Sequence, residues 1–351
     1  MSTILLTGAS GVVGGALLPR LRGHRVIALT RRRAVSGVSL RGDVSAPGLG
    51  LGGAEHRGLL GEVDTVVHCA AVTDFGVGAE RTNEVNVLGT ERILEFTAAA
   101  GARLVYLSTA FVTREREAAD AASPLAYVAS KIAAEEQVRA AGLPTAIVRP
   151  SVVIGDSVTG ALAPIQGFYA FLRSVLRDQV RGVVPCGPGD RVDFVPSDVV
   201  AGALAALVDL AATGEFWLTS GEHAPTAQRL FELAEHAAAR GGRRLAPVRL
   251  ASTRTARRLA GAARPGGAAG DLHGRLAELL GLAVMFDGAA PFPTSLGTIQ
   301  GGPPAPSTES VEAAFLAALD YISREHVRPV RGPRPPAPRA ALAGRTPVAP
   351  G

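Results

Sequence analysis

Lysine is all but missing from this chain of 351 residues: of its 36 Lys and Arg residues only Lys131 is a lysine, and its only asparagines are Asn83 and Asn86. Residue types this scarce are informative where they do occur. Cysteine is nearly as rare. Cys69 and Cys186 cannot build a disulfide framework, and neither lies in a CxxC or Cys/His cluster with metal-ligand spacing, so a reducing compartment and no metal site are expected. Long apolar runs are missing too. The longest, residues 199–208, is bounded by Asp198 and Asp209 and is too short to cross a bilayer. The N-terminus carries no basic stretch or cleavage site before its first apolar run. These absences predict a cytoplasmic protein without a membrane span.

A formal charge of +5 and a pI near 9.8 raise the question of nucleic acid. From Arg324 onward, however, six arginines face one acid, Glu325, so the body of the chain is formally neutral. The excess sits in or just before a Pro-rich tail, residues 329–351, which cannot bury enough apolar surface to fold. It reads as a solvated, disordered tail in preference to a polyanion-binding arm, and no nucleic-acid partner is expected.

What is present is a repeating order of apolar run, turn and helix. Residues 3–7, 25–30, 65–68, 104–108 and 145–149 read as buried strands, with 38–41 a weaker candidate, and residues 11–21, 83–100 and 126–141 have helical composition. That order predicts an α/β fold, a doubly wound parallel Rossmann-type sheet with a smaller C-terminal region. The expected division is a nucleotide-binding domain over residues 1–154, with strands returning from about 190–220, and a mainly substrate-binding region over 155–328.

The first strand ends in Thr7-Gly8-Ala9-Ser10-Gly11-Val12-Val13-Gly14, with glycines three apart where a strand meets a helix. A pyrophosphate needs a backbone that can approach it closely, and glycine permits that. The spacing is GxxGxxG, so Gly8, Ser10, Gly11, Val12, Val13 and Gly14 are the candidate phosphate turn. The second strand runs out through Thr30 into Arg31-Arg32-Arg33 with no acid in reach. An acid there would bind the ribose hydroxyls of NAD, whereas Arg31, backed by Arg32, suits the 2′-phosphate of NADP; the competing reading is a solvated turn in an Arg-rich chain. Asp43, followed by Val44, stands where a loop after the third strand could touch adenine.

Tyr127-Val128-Ala129-Ser130-Lys131 puts a phenol and the only ammonium one helical turn apart. A nearby cation favours the phenolate, which predicts a Tyr127 pKa lowered toward the working pH, and proton exchange with a carbonyl or alcohol oxygen. Eighteen residues earlier, Ser108 and Thr109 close a strand at the sheet edge where such folds bind ligands, and a hydroxyl there can polarise a carbonyl.

The glycine turn, the Tyr/Lys pair, His68-Cys69-Ala70-Ala71, Asn86 within its Asn-containing helix, and Arg149-Pro150-Ser151-Val152-Val153 together resemble the extended short-chain dehydrogenase/reductase family. The resemblance implies a catalytic Thr109, Tyr127 and Lys131. It also implies a cofactor held along Cys69, Ala70, Ala71, Lys131, Pro150 and Val153, and a structural Asn86. The segments from His68 to Thr73, Ser108 to Val112, Val153 to Gly160 and Asp193 to Asp198 are similar to the thioester-reductase and fatty-acyl-reductase, or male-sterility, branch. That branch implies reduction of a carbonyl by NADP(H), with NAD(H) the alternative cofactor. Its substrate would be an acyl thioester on CoA or a carrier protein, or a small molecule, and the enzyme a monomer or homodimer. The competing readings are an epimerase, dehydratase or hydroxyl dehydrogenase acting on a nucleotide sugar or other small alcohol, and an NADP sensor without turnover. The stripe Ile165, Phe168, Tyr169, Leu172, Val175 and Leu176 reads either as core or as an acyl channel, and Arg173, Arg177 and Arg181 as a solvated face or a contact for an acidic carrier.

Overall fold

The computed structural model describes residues 1–73, 77–113, 124–162, 167–180, 182–255, 286, 288 and 290–325. The expected tail over residues 329–351, Ile165 and Arg181 lie outside them. Five of the short apolar runs form strands β1 (Thr3–Thr7), β2 (Arg25–Thr30), β4 (Thr65–His68), β5 (Arg103–Leu107) and β6 (Thr145–Pro150), and the weaker candidate forms β3 (Val38–Arg41). With β10 (Gly214–Leu218) they make a seven-stranded, wholly parallel sheet in the order β10-β6-β5-β4-β1-β2-β3. Alternation along the strands serves both faces. Ile4, Leu6 and Ala28 join one core while Leu5, Ile27 and Leu29 join the other.

The first core is closed by α1 (Val12–Leu17) and α7 (Ser197–Asp209), which pack on each other. The second lies under α2 (Gly53–Leu60), α4 (Gly89–Ala99) and α5 (Pro124–Ala140). Before α4 the chain runs through α3 (Ala79–Asn83) and one π-helical turn, Glu84–Leu88. Strand order reverses between β4 and β1, so the carboxyl ends of these two strands part and leave a crevice. The run at 199–208 is not a strand or a span but the interior of α7.

Past β6 the chain builds a cap. Short pairs join β7 (Val152–Ile154) to β9 (Phe194–Pro196) and β8 (Gly182–Val184) to β11 (Val248–Leu250). Helices α6 (Phe168–Leu176), α8 (Ala227–Arg240) and α9 (Thr308–Glu325) pack together over a separate apolar cluster that includes Tyr169, Leu172, Leu230 and Phe315. Gly160 permits that closure. It sits at φ +68°, and a Cβ there would fall 2.0 Å from the carbonyl oxygen of Ala317 on α9. Among the described residues no helix is long and apolar enough to cross a membrane.

Candidate active site

The glycine turn is built by contact as much as by conformation. Gly8 has φ +75°, and a Cβ on it would lie 2.6 Å from the backbone of both Cys69 and Ala70; one on Gly14 would lie 2.3 Å from the Gly8 oxygen. Gly11 is different, because an added Cβ would meet only the Gly8 oxygen, at 3.2 Å. Its bare backbone faces a cavity of about 550 Å³ that opens at the crevice. Gly8, Gly11, Val12, Val13, Gly14, Cys69, Ala71, Pro150 and Val153 line the same cavity as Thr109, Tyr127 and Lys131. A side-chain-free cradle beside buried hydroxyls fits a dinucleotide. Ser108 Oγ and Ser151 Oγ, both buried at the adjacent ends of β5 and β6, have no hydrogen-bond partner among the described residues.

Other expected cofactor residues stand apart from this lining. Ser10 is exposed on the turn. Ala70 serves the turn through its backbone: its N–H donates to Thr7 Oγ1 at 3.2 Å, and that hydroxyl is 2.7 Å from His68 Nδ1. Burial, helped by the charge on Lys131, drives the His68 imidazole down to about 3, so it is neutral at physiological pH. At the ends of β2 and β3, Arg31 and Asp43 form an ion pair at 3.8 Å, and Arg32 is exposed beside them. Asp43 also accepts hydrogen bonds from the Ser45 amide and hydroxyl, while Val44 is buried against Gly89.

Strand β5 and helix α5 bring the three expected catalytic side chains together. The Thr109 hydroxyl lies near enough to the Tyr127 phenol to favour its ionised form, a small effect beside burial. Lys131 Nζ donates to the Leu107 carbonyl at 2.7 Å and sits 4.4 Å above the Tyr106 ring. Burial lowers the Lys131 pKa against the pull of Tyr127, Glu135 and Cys69. The sequence led us to expect a lowered Tyr127 pKa, and here the structure corrects it. Burial is the larger effect, so the phenol titrates above its ordinary range although Lys131 pulls it down. A phenol kept protonated is an acid, which is what reduction of a carbonyl requires.

Two supports fix these groups. Asn86, on the π-helical turn, accepts from the Val72 amide at 2.8 Å and donates to the Val72 oxygen and to Ser130 Oγ, each at 3.0 Å; Ser130 in turn donates to the Tyr127 carbonyl. That is the structural role expected of it. The second support was not read from the sequence. Arg149, buried at the end of β6, makes a bidentate pair with Glu135 at 2.9 and 2.7 Å, binds Glu215 at 2.8 Å, and stacks on Trp217. The available signal was Glu135 standing four residues beyond Lys131, one further helical turn.

Beyond the triad the cavity turns apolar. Of the stripe on α6, Phe168, Leu172 and Val175 line it, together with Phe171, whereas Tyr169 is buried structure that accepts from the Gly155 amide and donates to the Gly160 oxygen. Leu230, Phe231 and Ala234 of α8, with Phe111, Phe286 and Phe315, complete the wall. Lys131 is the one charged side chain among the described lining residues. Two other motifs meet outside the cavity, where Asp198 accepts from the Ser157 amide and hydroxyl at 2.8 and 2.7 Å.

Residues 37–204 match the profile of the family described as male sterility protein. Over 237 residues the chain is 34% identical to a hybrid PKS-NRPS synthetase of Talaromyces variabilis, covering 58% of this chain and 6% of that protein. It is 28% identical over 234 residues to a polyketide synthase-nonribosomal peptide synthetase of Aspergillus clavatus, again covering 58% of this chain and 6% of that one. The chain thus spans only a small fraction of these curated relatives. Among solved structures it superposes on the terminal R domain of the myxalamid PKS-NRPS biosynthetic pathway with a TM-score of 0.71 and 26% identity, covering 93% of this chain and 91% of that one. A UDP-glucose 4-epimerase of Thermotoga maritima shares the fold, with a TM-score of 0.61, 17% identity, and coverage of 92% and 99%.

Proposed function

This chain belongs to the extended short-chain dehydrogenase/reductase family, and from that premise we propose that it is an NADPH-dependent reductase of acyl thioesters carried on CoA or a carrier protein. The observation that carries the reading is a cavity that joins a side-chain-free glycine cradle, a Thr109–Tyr127–Lys131 constellation and an apolar wall. Gly8, Gly11, Gly14, Cys69, Ala71, Pro150, Val153 and Lys131 would hold the dinucleotide, and Arg31 with Arg32 would meet a 2′-phosphate. Bound NADPH supplies a hydride. The protein's own task is the oxygen: Thr109 and Tyr127 donate hydrogen bonds to the substrate carbonyl, and Tyr127 delivers its phenolic proton as negative charge develops. Lys131 compensates the phenolate left behind. From a thioester the product of this step is a hemithioacetal, whose collapse releases the thiol and an aldehyde, and a second round gives the alcohol.

An epimerase acting on a nucleotide sugar is the other reading, and two features disfavour it. The second strand runs out through Thr30 into Arg31 and not an acid, and the substrate end of the cavity offers a nucleotide diphosphate no cation among the described lining residues. The relatives whose names specify synthetases and R domains support a carrier-bound substrate. The test is to follow NADPH oxidation by the purified protein with short and long acyl thioesters and to identify any cofactor released on denaturation. Thioester-dependent oxidation supports the reading; a tightly retained NAD with no thioester-dependent oxidation overturns it.

A further inference from the structure

We propose that Glu135 and Arg149 are positioning residues: their buried bidentate pair clamps α5 to the end of β6, fixing both the place and the charge of Lys131. This rests on the reading of Lys131 as part of the reductase site. Glu135 and Arg149 have side chains 2% exposed, and neither lines the cavity, so they act on the reaction through other groups. Their geometry is fully specified, with both Glu135 oxygens on Arg149 nitrogens at 2.9 and 2.7 Å. The pair continues outward, since Arg139 donates to Glu135 at 2.6 Å and to Glu215, and Glu215 accepts from Arg149. Two carboxylates and two guanidiniums make this set formally neutral. Lys131, one turn before Glu135 on the same helix, is therefore the uncompensated charge at the inner end of a balanced chain.

The consequence is a coupling of definite sign. The groups facing Lys131 are His68 and Cys69 from β4 and the residue after it, Tyr106 from β5, and Tyr127 and Glu135 from its own helix; Arg149 from β6 and Glu215 from β10 stand behind Glu135, to which Arg149 is bonded. His68 is neutral, and burial holds the Cys69 thiol at about 12, so neither carries charge near neutral pH. Glu135 is the anion whose field reaches Lys131 through low-dielectric protein, and Arg149 and Arg139 are the cations that offset it. Removing the anion makes the ammonium easier to deprotonate. Removing either cation does the reverse.

Because Lys131 is the only lysine, labelling the untagged full chain with lysine carrying ¹³C at Cε gives one resonance whose pH titration reports this residue alone. Glu135→Gln is expected to move the midpoint down by about one unit and Arg149→Met up by about one unit, with the double variant returning near the original value. Should Arg149→Met not fold, Arg139→Gln, at a half-exposed position, supplies the upward arm. A midpoint that stays put, or moves the same way in folded Glu135→Gln and Arg139→Gln proteins, overturns the proposal. In turnover, Glu135→Gln should lower kcat about tenfold with KM for the thioester unchanged; a purely structural role would instead lower the active fraction without moving the Lys131 titration. Absence of NADPH oxidation by the unaltered enzyme would count against the reductase reading, and the Lys131 resonance would still decide the coupling.

Discussion

Arg31 and Asp43, at the carboxyl ends of neighbouring strands β2 and β3, face each other across 3.8 Å at the rim of the sheet. The arginine that would receive a 2′-phosphate thus already has a partner, and a weak one. Both side chains are more than a third exposed, a setting in which ion pairs contribute roughly 0–1 kcal/mol. A phosphate dianion should displace the carboxylate. Arg31→Ala is expected to weaken NADPH binding about tenfold or more while changing NADH binding little, whereas Asp43→Asn should alter NADPH affinity by less than about fivefold. Fluorescence titration with both nucleotides checks this, and equal losses for NADPH and NADH in Arg31→Ala would remove the basis for NADP preference.

The three glycines of the turn should not be equivalent. Gly14→Ala forces a methyl to 2.3 Å from the Gly8 oxygen, and Gly8→Ala adds a positive φ to contacts of 2.6 Å, so each should cost about 1–3 kcal/mol of stability and nucleotide binding with it. Gly11→Ala meets one oxygen at 3.2 Å and should cost far less stability than the other two, yet bind nucleotide poorly because Gly11 lines the cavity. Thermal melts paired with NADPH titrations separate the cases.

Tyr127→Phe should reduce kcat by about 10²–10⁴ with NADPH affinity nearly intact. The pH profile should carry the sign of the site's electrostatics. Since burial lowers Lys131, the rate should fall as the ammonium loses its proton, at a pH below the ordinary lysine range. A basic limb at or above that range would contradict the buried Lys131.

Acid stability follows from His68. Its folded-state pKa, about 3, lies below the unfolded value near 6.5, so below pH 6.5 the unfolded chain takes up a proton that the folded one does not. Stability should therefore fall as pH drops from about 6.5 toward 3, by on the order of a few kcal/mol. In His68→Gln this part of the acid dependence should vanish, measurable by urea unfolding at pH 7 and pH 4.5.

Chain-length selectivity should reside in the wall. Phe171→Ala and Phe231→Ala remove aromatic surface from the cavity, and each should lower kcat/KM for long acyl thioesters by roughly ten- to a hundredfold, consistent with about 1.5–3 kcal/mol per buried large side chain, while sparing short ones. Equal effects on short and long substrates would place the acyl group elsewhere.

The strands, the glycine turn and the Tyr127/Lys131 pair were legible because each is a local pattern: a short apolar run, a spacing of three, a spacing of four. The Glu135–Arg149 pair was not, because its partners lie 14 residues apart on a helix and a strand, and nothing in either segment specifies that they meet. The stripe on α6 shows the same limit. Periodicity marked its apolar side chains, but whether each faced core or cavity depended on what packed above it, and the answer differs between Tyr169 and its neighbours Phe168 and Leu172.

Hydrophobic period and patterns confined to a few consecutive residues were enough to specify the doubly wound sheet, the glycine turn and the pairing of Tyr127 with Lys131 on one helix. Three properties came from packing instead: Tyr127 is held protonated, Arg31 is already paired, and the cavity beyond the triad is apolar. The first and last depend on what distant segments exclude, water from the phenol and charge from the wall, and the second on a partner that the neighbouring strand delivers. Desolvation belongs to the packed molecule, and no single segment carries it.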